Sequence, residues 1–324
     1  MTRPIRFIAL LAALFLAGGA LPLAAATSDA PASCTIVYQP GLSYANLIVM
    51  HSQGVLEKEF PGTKFEWKVL SNGAAIRDGF LANQIQIGAG GGGPFLVGWD
   101  RGVGYRLIGA LNEISLWLVA KDPKYKTLKD FTPTSKIGMP TPESIQGIVL
   151  RMAAKQQLGN AHALDTNIIA IQHPLGLAAL MSGQLDAHFT SPPFQQEEVA
   201  RGGHIILKSF DLTGKTTFNS VFTTETFGKE HPNFIKAFAV ALADATKFIR
   251  EKPDQTAEIL SQDSGGKVPA ANFKKWLADK DTTFTTIPHG FLKMAKFMKE
   301  IGFLDKVPSS MRDLELPLLN GAGD

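Results

Sequence analysis

The sequence predicts an α/β protein of two lobes, each a mixed, mostly parallel sheet flanked by helices, with two crossover strands between them. Three observations predict it. Short apolar runs alternate with segments of helical period, the grammar of an open, mostly parallel sheet. That grammar occurs twice. Aligning Gln84 with Gln184 places Val69-Leu70 on Ile169-Ala170, Ile85 on Leu185 and Gly90-Gly91 on Thr190-Ser191. The length of 324 residues, with 45% hydrophobic and 19% charged residues, suits about two globular domains.

The elements follow in order. After a small, polar leader at 27–33, Thr35-Ile36-Val37-Tyr38 reads as a strand stopped by Pro40-Gly41. Leu47, Ile48, His51 and Val55 recur at helical spacing, so a helix is expected over 44–57. Phe65 to Leu70 alternates as a strand, a second helix is expected over 74–82, and a strand at 85–88 enters a glycine run. The later half repeats this, with an apolar run at 168–171 and a helix around 175–181. Leu116 to Ala120 and Val221 to Thr224 are apolar strands that bracket the central unit and carry the chain into a second lobe and back. The expected lobes are therefore 34–118 plus 224–324, and 119–223. Past His231-Pro232, Phe234, Ile235, Phe238, Ala241, Leu242, Ala245 and Phe248 share one helix face. Further helices are expected near 253–260, 271–276 and 291–301.

The N-terminus decides the expected location. A basic start with Arg3 and Arg6, an apolar run from Phe7 to Ala17 and the small residues Ala24-Ala25-Ala26 describe a secretory signal, cleaved near Ala26. The uninterrupted run is shorter than the roughly 20 residues that span a bilayer. Export to the periplasm is the expectation. Loss of the two arginines brings the formal charge from +3 to +1, which gives no electrostatic reason to expect nucleic acid as a partner. The single cysteine, Cys34, permits neither an internal disulfide nor a thiolate cluster. A plain thiol suits its surroundings better than a lipidated one, because Pro31-Ala32-Ser33 lacks an aliphatic residue three places upstream.

Catalytic and cofactor motifs fail on inspection. Gly88 to Gly93 formally matches G-x-G-x-x-G, with Glu113 about 20 residues on. It lies on the third expected strand, and Pro94 with the short 95–99 stretch makes a poor phosphate helix. The run reads instead as a loop whose backbone can approach a ligand closely, or as a tight turn. Gly214-Lys215-Thr216 lacks the upstream glycine of a phosphate loop and reads as a surface turn. There is no G-x-S-x-G, no H-E-x-x-H, and no histidine pair at ligand spacing, so neither metal nor other cofactor is expected. Adjacent Glu197 and Glu198 do not share a helix face and read as solvated surface. No enzymatic activity is expected.

What remains is distributed over the loops where strands end and helices begin, the place of the ligand crevice in such sheets. The first half contributes Gln39, Ser43, Tyr44, Ser71, Asn72, Gly73, Gly91, Gly92, Asn112 and Glu113. The second contributes Thr141, Ser144, Gln146, Gln172, His173, Thr190 and Ser191. Hydroxyls, amides and glycines dominate and cations are scarce, a set that binds an anion through helix N-terminal N–H groups. Ser71, Asn72, Thr141 and Ser144 also read as ordinary helix caps. A flat heteroaromatic, sandwiched by Tyr44 or Trp117 with Glu113 accepting its N–H groups, is the second ligand class.

Several segments together resemble the substrate-binding proteins of ABC transporters of the nitrate/sulfonate/taurine and thiamine-precursor type. They are Ile36-Val37-Tyr38-Gln39-Pro40-Gly41, His51 to Glu57 at a helix end, the turns at 81–88 and 180–186, Ser191-Pro192-Pro193, and His231-Pro232-Asn233-Phe234. The resemblance spans about 35–260. It implies the type II periplasmic binding protein fold and hinge closure around a small organic anion such as a sulfonate, taurine, nitrate or a carboxylate. It also implies a monomer that docks on an inner-membrane permease. Asn83-Gln84-Ile85-Gln86 departs from the family's glycine and aspartate in the first turn, and the glycine run is unusual. Those departures leave the ligand open. Relatives of this fold include enzymes and sensors, which stand as alternatives.

Overall fold

The computed structural model describes residues 29–317 and 323–324. The expected signal segment lies outside the described residues. Among the described residues no helix is long and apolar enough to cross a membrane.

The first sheet grows from a parallel trio. β1 (Ser33–Tyr38) is central, β2 (Lys64–Val69) pairs on one side and β3 (Ile87–Gly91) on the other. Between them run α1 (Ala45–Gln53), α2 (Val55–Glu59) and α3 (Gly73–Leu81), and α4 (Gly92–Asp100) follows β3. The expected helix over 44–57 is two helices, because Gly54 takes a left-handed φ of 59° and ends the first. β4 (Tyr105–Ala110), β5 (Asn112–Ile114) and β6 (Trp117–Ala120) come next.

The second sheet repeats the trio with β7 (Ile137–Met139), α5 (Ile145–Leu158), β8 (Ile168–Ala170), α6 (His173–Met181) and β9 (Ala187–Thr190). α7 (Phe194–Ala200), β10 (His204–Lys208) and α8 (Phe210–Thr213) lead to β11 (Asn219–Thr224). The tail is helical: α9 (Glu225–Glu230), α10 (Pro232–Glu251), α11 (Pro253–Asp263) and α12 (Ala270–Leu277). After β12 (Thr282–Phe284), which pairs with β5, comes α13 (Phe291–Glu300).

The strand orders are β2-β1-β3-β11-β4 and β10-β6-β9-β7-β8. In each sheet the parallel trio is extended by two antiparallel neighbours, β11 and β4 in one, β6 and β10 in the other. Half the pairings are thus antiparallel, fewer parallel ones than expected. The crossover strands are full sheet members. β6 pairs along its whole length with β9, and β11 pairs with β3 over Asn219 to Phe222 and with β4 over Ser220 to Thr224. Each apolar run thus fills an inner sheet position, where Leu118, Val119 and Val221 are buried.

The repeat holds at hydrogen-bond level. Gln86 N–H donates to the Thr35 carbonyl and its side chain accepts from Thr35 N–H at 2.8 Å. Asp186 does the same with Lys136 at 2.8 Å. Asn83 adopts φ 55° where Gly183 adopts 78°. The first turn's departure from glycine and aspartate therefore keeps the geometry, since asparagine tolerates the left-handed region. Cores lie on both faces. Leu47, Met50, Phe234, Phe238 and Trp276 pack behind the first sheet, and a second cluster runs from Ile76 and Phe95 to Ile148 and Phe189.

Candidate functional site

The two trios point the C-terminal ends of their strands at one cleft. Its walls are Gln39, Pro40, Ser43, Tyr44, Ser71, Gly73, Gly91, Pro94, Phe218 and Asn219 from the first sheet's loops. Opposite stand Pro140, Thr141, Ser144, Ile145, Gln146, Gln172, His173, Pro174 and Ser191. Five helices begin here. Tyr44, Gly91, Ser144 and Gln172 are the N-caps of α1, α4, α5 and α6, and Gly73 is the first residue of α3. Asn72 caps α3 through Ala75 N–H at 3.0 Å, and Ser144 caps α5 through Gly147 N–H at 3.2 Å. The starts of α1, α4 and α6 have no side-chain cap.

None of these wall residues is Asp, Glu, Lys or Arg. His173 is neutral, because burial, with His188 beside it, holds its pKa well below the usual imidazole range. Burial likewise raises the Tyr44 hydroxyl, so it stays protonated. The electrostatics of the cleft are those of helix ends, each about half a positive charge. The space open to a water-sized sphere is about 30 Å³, against roughly 10–15 Å³ for a single water. A group of a few heavy atoms fills it.

Of the expected residues, Gln39, Ser43, Tyr44, Ser71, Gly73, Gly91, Thr141, Ser144, Gln146, Gln172, His173 and Ser191 line this cleft. Five do not. Asn72 is occupied as a cap, and Gly92 packs under the Phe291 ring. Asn112 is buried below the wall and donates to the Ser43 carbonyl at 2.5 Å. Thr190 stands behind His173, its Oγ1 3.0 Å from Nδ1. Glu113, expected to receive a heteroaromatic's N–H groups, is paired with His289 instead. Trp117, the other expected sandwich partner, is also absent from the wall and lies under Lys208. Two further readings change. The glycine run is neither loop nor turn: it is the end of β3 and the first turn of α4, where Pro94 fits because early helical N–H groups need no partner. Glu198 is fully buried and 2.5 Å from His188, whereas Glu197 stays at the surface side.

The wall residues missed from sequence are mainly prolines, Ile145, Phe218 and Asn219. Asn219 lies opposite Gly91 in the ladder and donates to Ser43 Oγ at 2.8 Å. Only the antiparallel return of β11, some 130 residues after β3, brings it here, and no local pattern carries that signal.

Two sheets that share a cleft and exchange strands β6 and β11 define the two-lobed periplasmic binding protein architecture. The chain belongs to the NMT1-like family, whose model matches residues 28–262. No curated protein matches the sequence. Among solved structures it is similar to the periplasmic nitrate-binding protein NrtA from Synechocystis PCC 6803. There the TM-score is 0.73 at 14% identity, covering 90% of this chain and 86% of that one. The alkanesulfonate-binding protein SsuA from Xanthomonas axonopodis pv. citri, bound to MOPS, gives 0.71 at 20% identity, covering 85% and 95%. The periplasmic aliphatic sulphonate binding protein SsuA from Escherichia coli gives 0.68 at 19%, covering 89% and 92%.

Proposed function

We propose that this protein is the periplasmic solute-binding component of an ABC importer. It closes its two lobes on a small organic anion, a sulfonate or carboxylate, and works as an exported monomer that presents the ligand to a permease. One observation carries the anion reading: five helix N-termini converge on a cleft without ionised side chains, and two of them, at α4 and α6, have neither a side-chain cap nor a preceding helical turn to take their first N–H groups, as Leu42–Tyr44 does for α1. Orphan N–H groups at such ends are ready anion ligands, and an uncharged wall leaves the ligand's charge as the only one. The heteroaromatic reading is weaker, since Glu113 and Trp117 stand elsewhere and the cavity is small. The named relatives bind nitrate or sulfonates, which supports the same class. The two sheets serve as the cores of the moving lobes, and the chain passes between them near Ser115 and again before Asn219.

Thermal unfolding of the mature protein with nitrate, methanesulfonate, taurine, benzoate and a pyrimidine tests this. At 100-fold over Kd the ligand term is about 2.7 kcal/mol, a shift of several degrees for a chain this size. An anion is expected to produce it. Stabilisation by the pyrimidine alone, or by none of the five, would defeat the reading.

A further inference from the structure

His173, the first residue of α6, lines the cleft with its ring held among its neighbours. The Phe194 ring stacks on it at 5.7 Å between centroids, with the planes 24° apart, and the His188 ring lies 5.6 Å away. Behind it, Thr190 Oγ1 stands 3.0 Å from Nδ1. On its other side, Gln146 Nε2 stands 3.4 Å from Nε2. A neutral imidazole has one N–H to place, on Nδ1 or on Nε2, and its other nitrogen accepts. Gln146 suits either choice, because its amide can present oxygen or nitrogen. Thr190 does not. It is fully buried, and among the described residues Oγ1 has no other hydrogen-bond partner. If Nδ1–H gave to Oγ1, the hydroxyl's own hydrogen would be buried without an acceptor, a costly arrangement. If the hydroxyl gives to Nδ1, that cost disappears, and the imidazole hydrogen falls on Nε2.

We infer that Thr190 is a positioning residue: from behind the wall it holds His173 in the Nε2–H tautomer, and so makes an uncharged imidazole a donor to the bound anion. The inference rests on the reading of the cleft as an anion site. To the helix ends it adds a side-chain donor whose direction is set by a residue outside the wall. Gln146 can turn its own N–H to the same place, 3.4 Å from Nε2, so that both donors meet one ligand oxygen. The opposite tautomer would set a lone pair there and repel that oxygen. Thr190 therefore fixes the kind of partner His173 takes, an acceptor and not a donor, without bringing a charge into the cleft.

Imidazole nitrogen NMR of the full mature protein, labelled with nitrogen-15 histidine, tests this, with His173→Gln assigning the His173 signals. Unliganded wild type and Thr190→Ser, which keeps the hydroxyl, are expected to carry the proton on Nε2. Thr190→Val keeps the shape and loses the hydroxyl. It should move a measurable share of the proton to Nδ1, since Gln146 can then give to Nε2. Calorimetry with nitrate, methanesulfonate and benzoate supplies the second readout. For whichever of these binds, the valine variant should lose about tenfold or more in affinity, the loss of a hydrogen bond to a charged group, and the serine variant should lose little. A wild-type proton on Nδ1 overturns the inference and, where an anion still binds, leaves the anion site standing. A valine variant that binds as tightly as the wild type overturns it too, as does a serine variant that binds as weakly as the valine one. A proton on Nε2 with none of the three anions bound defeats the anion reading instead, and the role of Thr190 in binding falls with it. Should the valine variant not fold, the wild-type spectrum and the serine variant still decide.

Discussion

Glu197 and Glu198 are neighbours in sequence with opposite surroundings. On α7 one faces outward and pairs with Arg201, while the next points into the second lobe against His188. Burial pushes the Glu198 carboxyl up to about 9, with Glu197 adding to it, and pulls His188 down to about 3. Between those values the folded pair holds one proton. The unfolded chain holds about two below pH 4.5, one up to about 6.5 and none above it, from the ordinary values of the two groups. Above pH 6.5 folding therefore takes up a proton, and stability falls as pH rises, by up to about 1.4 kcal/mol per unit. Below 6.5 the loss comes from His173, whose lowered pKa means that the unfolded chain takes up the proton first, and below about 4.5 the pair adds to it, since the unfolded chain then holds two protons to its one. Glu198→Gln removes the shared proton. Urea midpoints at pH 7, 8 and 9 are expected to decline in the wild type and stay level in the variant. A parallel decline in both would mean the pair is not the source. The sequence showed that the two glutamates face apart but not which way α7 turns, because the orienting partner, His188, is on a strand ten residues back.

At the scale of elements, the glycine run shows what sequence conveys and what it withholds. Four consecutive glycines signal a close approach, and the approach is real, but its partner is protein backbone. A Cβ on Gly93 would lie 2.4 Å from the Glu143 carbonyl oxygen, and one on Gly91 would meet Ile145 at 3.4 Å. Both contacts join the first lobe to the second, so the run lets α4 and the start of α5 seat against each other. Periodicity placed most helices and strands to within a few residues, because each buries one stripe or face. It carried no strand order for β11 and β6, because each pairs with strands distant in sequence. Gly93→Ala separates closure from folding. Under the proposed closure, an open form frees this position from the Glu143 carbonyl, and there alanine in the first turn of α4 adds roughly 0.5–1 kcal/mol of helix preference. Closing the cleft, however, then meets a carbonyl. The expected result is unchanged or higher unliganded melting temperature with affinity reduced at least tenfold. Equal affinity would show that the contact is not needed for the bound state.

For the whole molecule, the question is what holds two lobes together across a cleft without charge in its walls. Three ion pairs join the lobes, one of them Lys208 on β10 to Asp281 just before β12 at 3.4 Å. Lys155 on α5 reaches Glu300 on α13, both about half exposed, and such pairs contribute little. Arg77 on α3 lies 3.8 Å from Glu143, with side chains 17% and 25% exposed, beside the Gly93 contact. This pair is better shielded, and under the proposed hinge closure it links residues that part when the lobes open. Its energy then belongs to the closed form alone, so a ligand that selects that form recovers it on binding. Arg77→Ala should accordingly leave the unliganded melting temperature unchanged. It should raise the ligand dissociation rate severalfold and leave association nearly as before, since interface changes act mainly on dissociation. Glu143→Ala should do the same, and the double variant should add little to either. Stopped-flow rates for the three variants measure that coupling. Additive effects would show that the two side chains act separately, and that the closed form is held by the backbone contact at Gly93 rather than by charge.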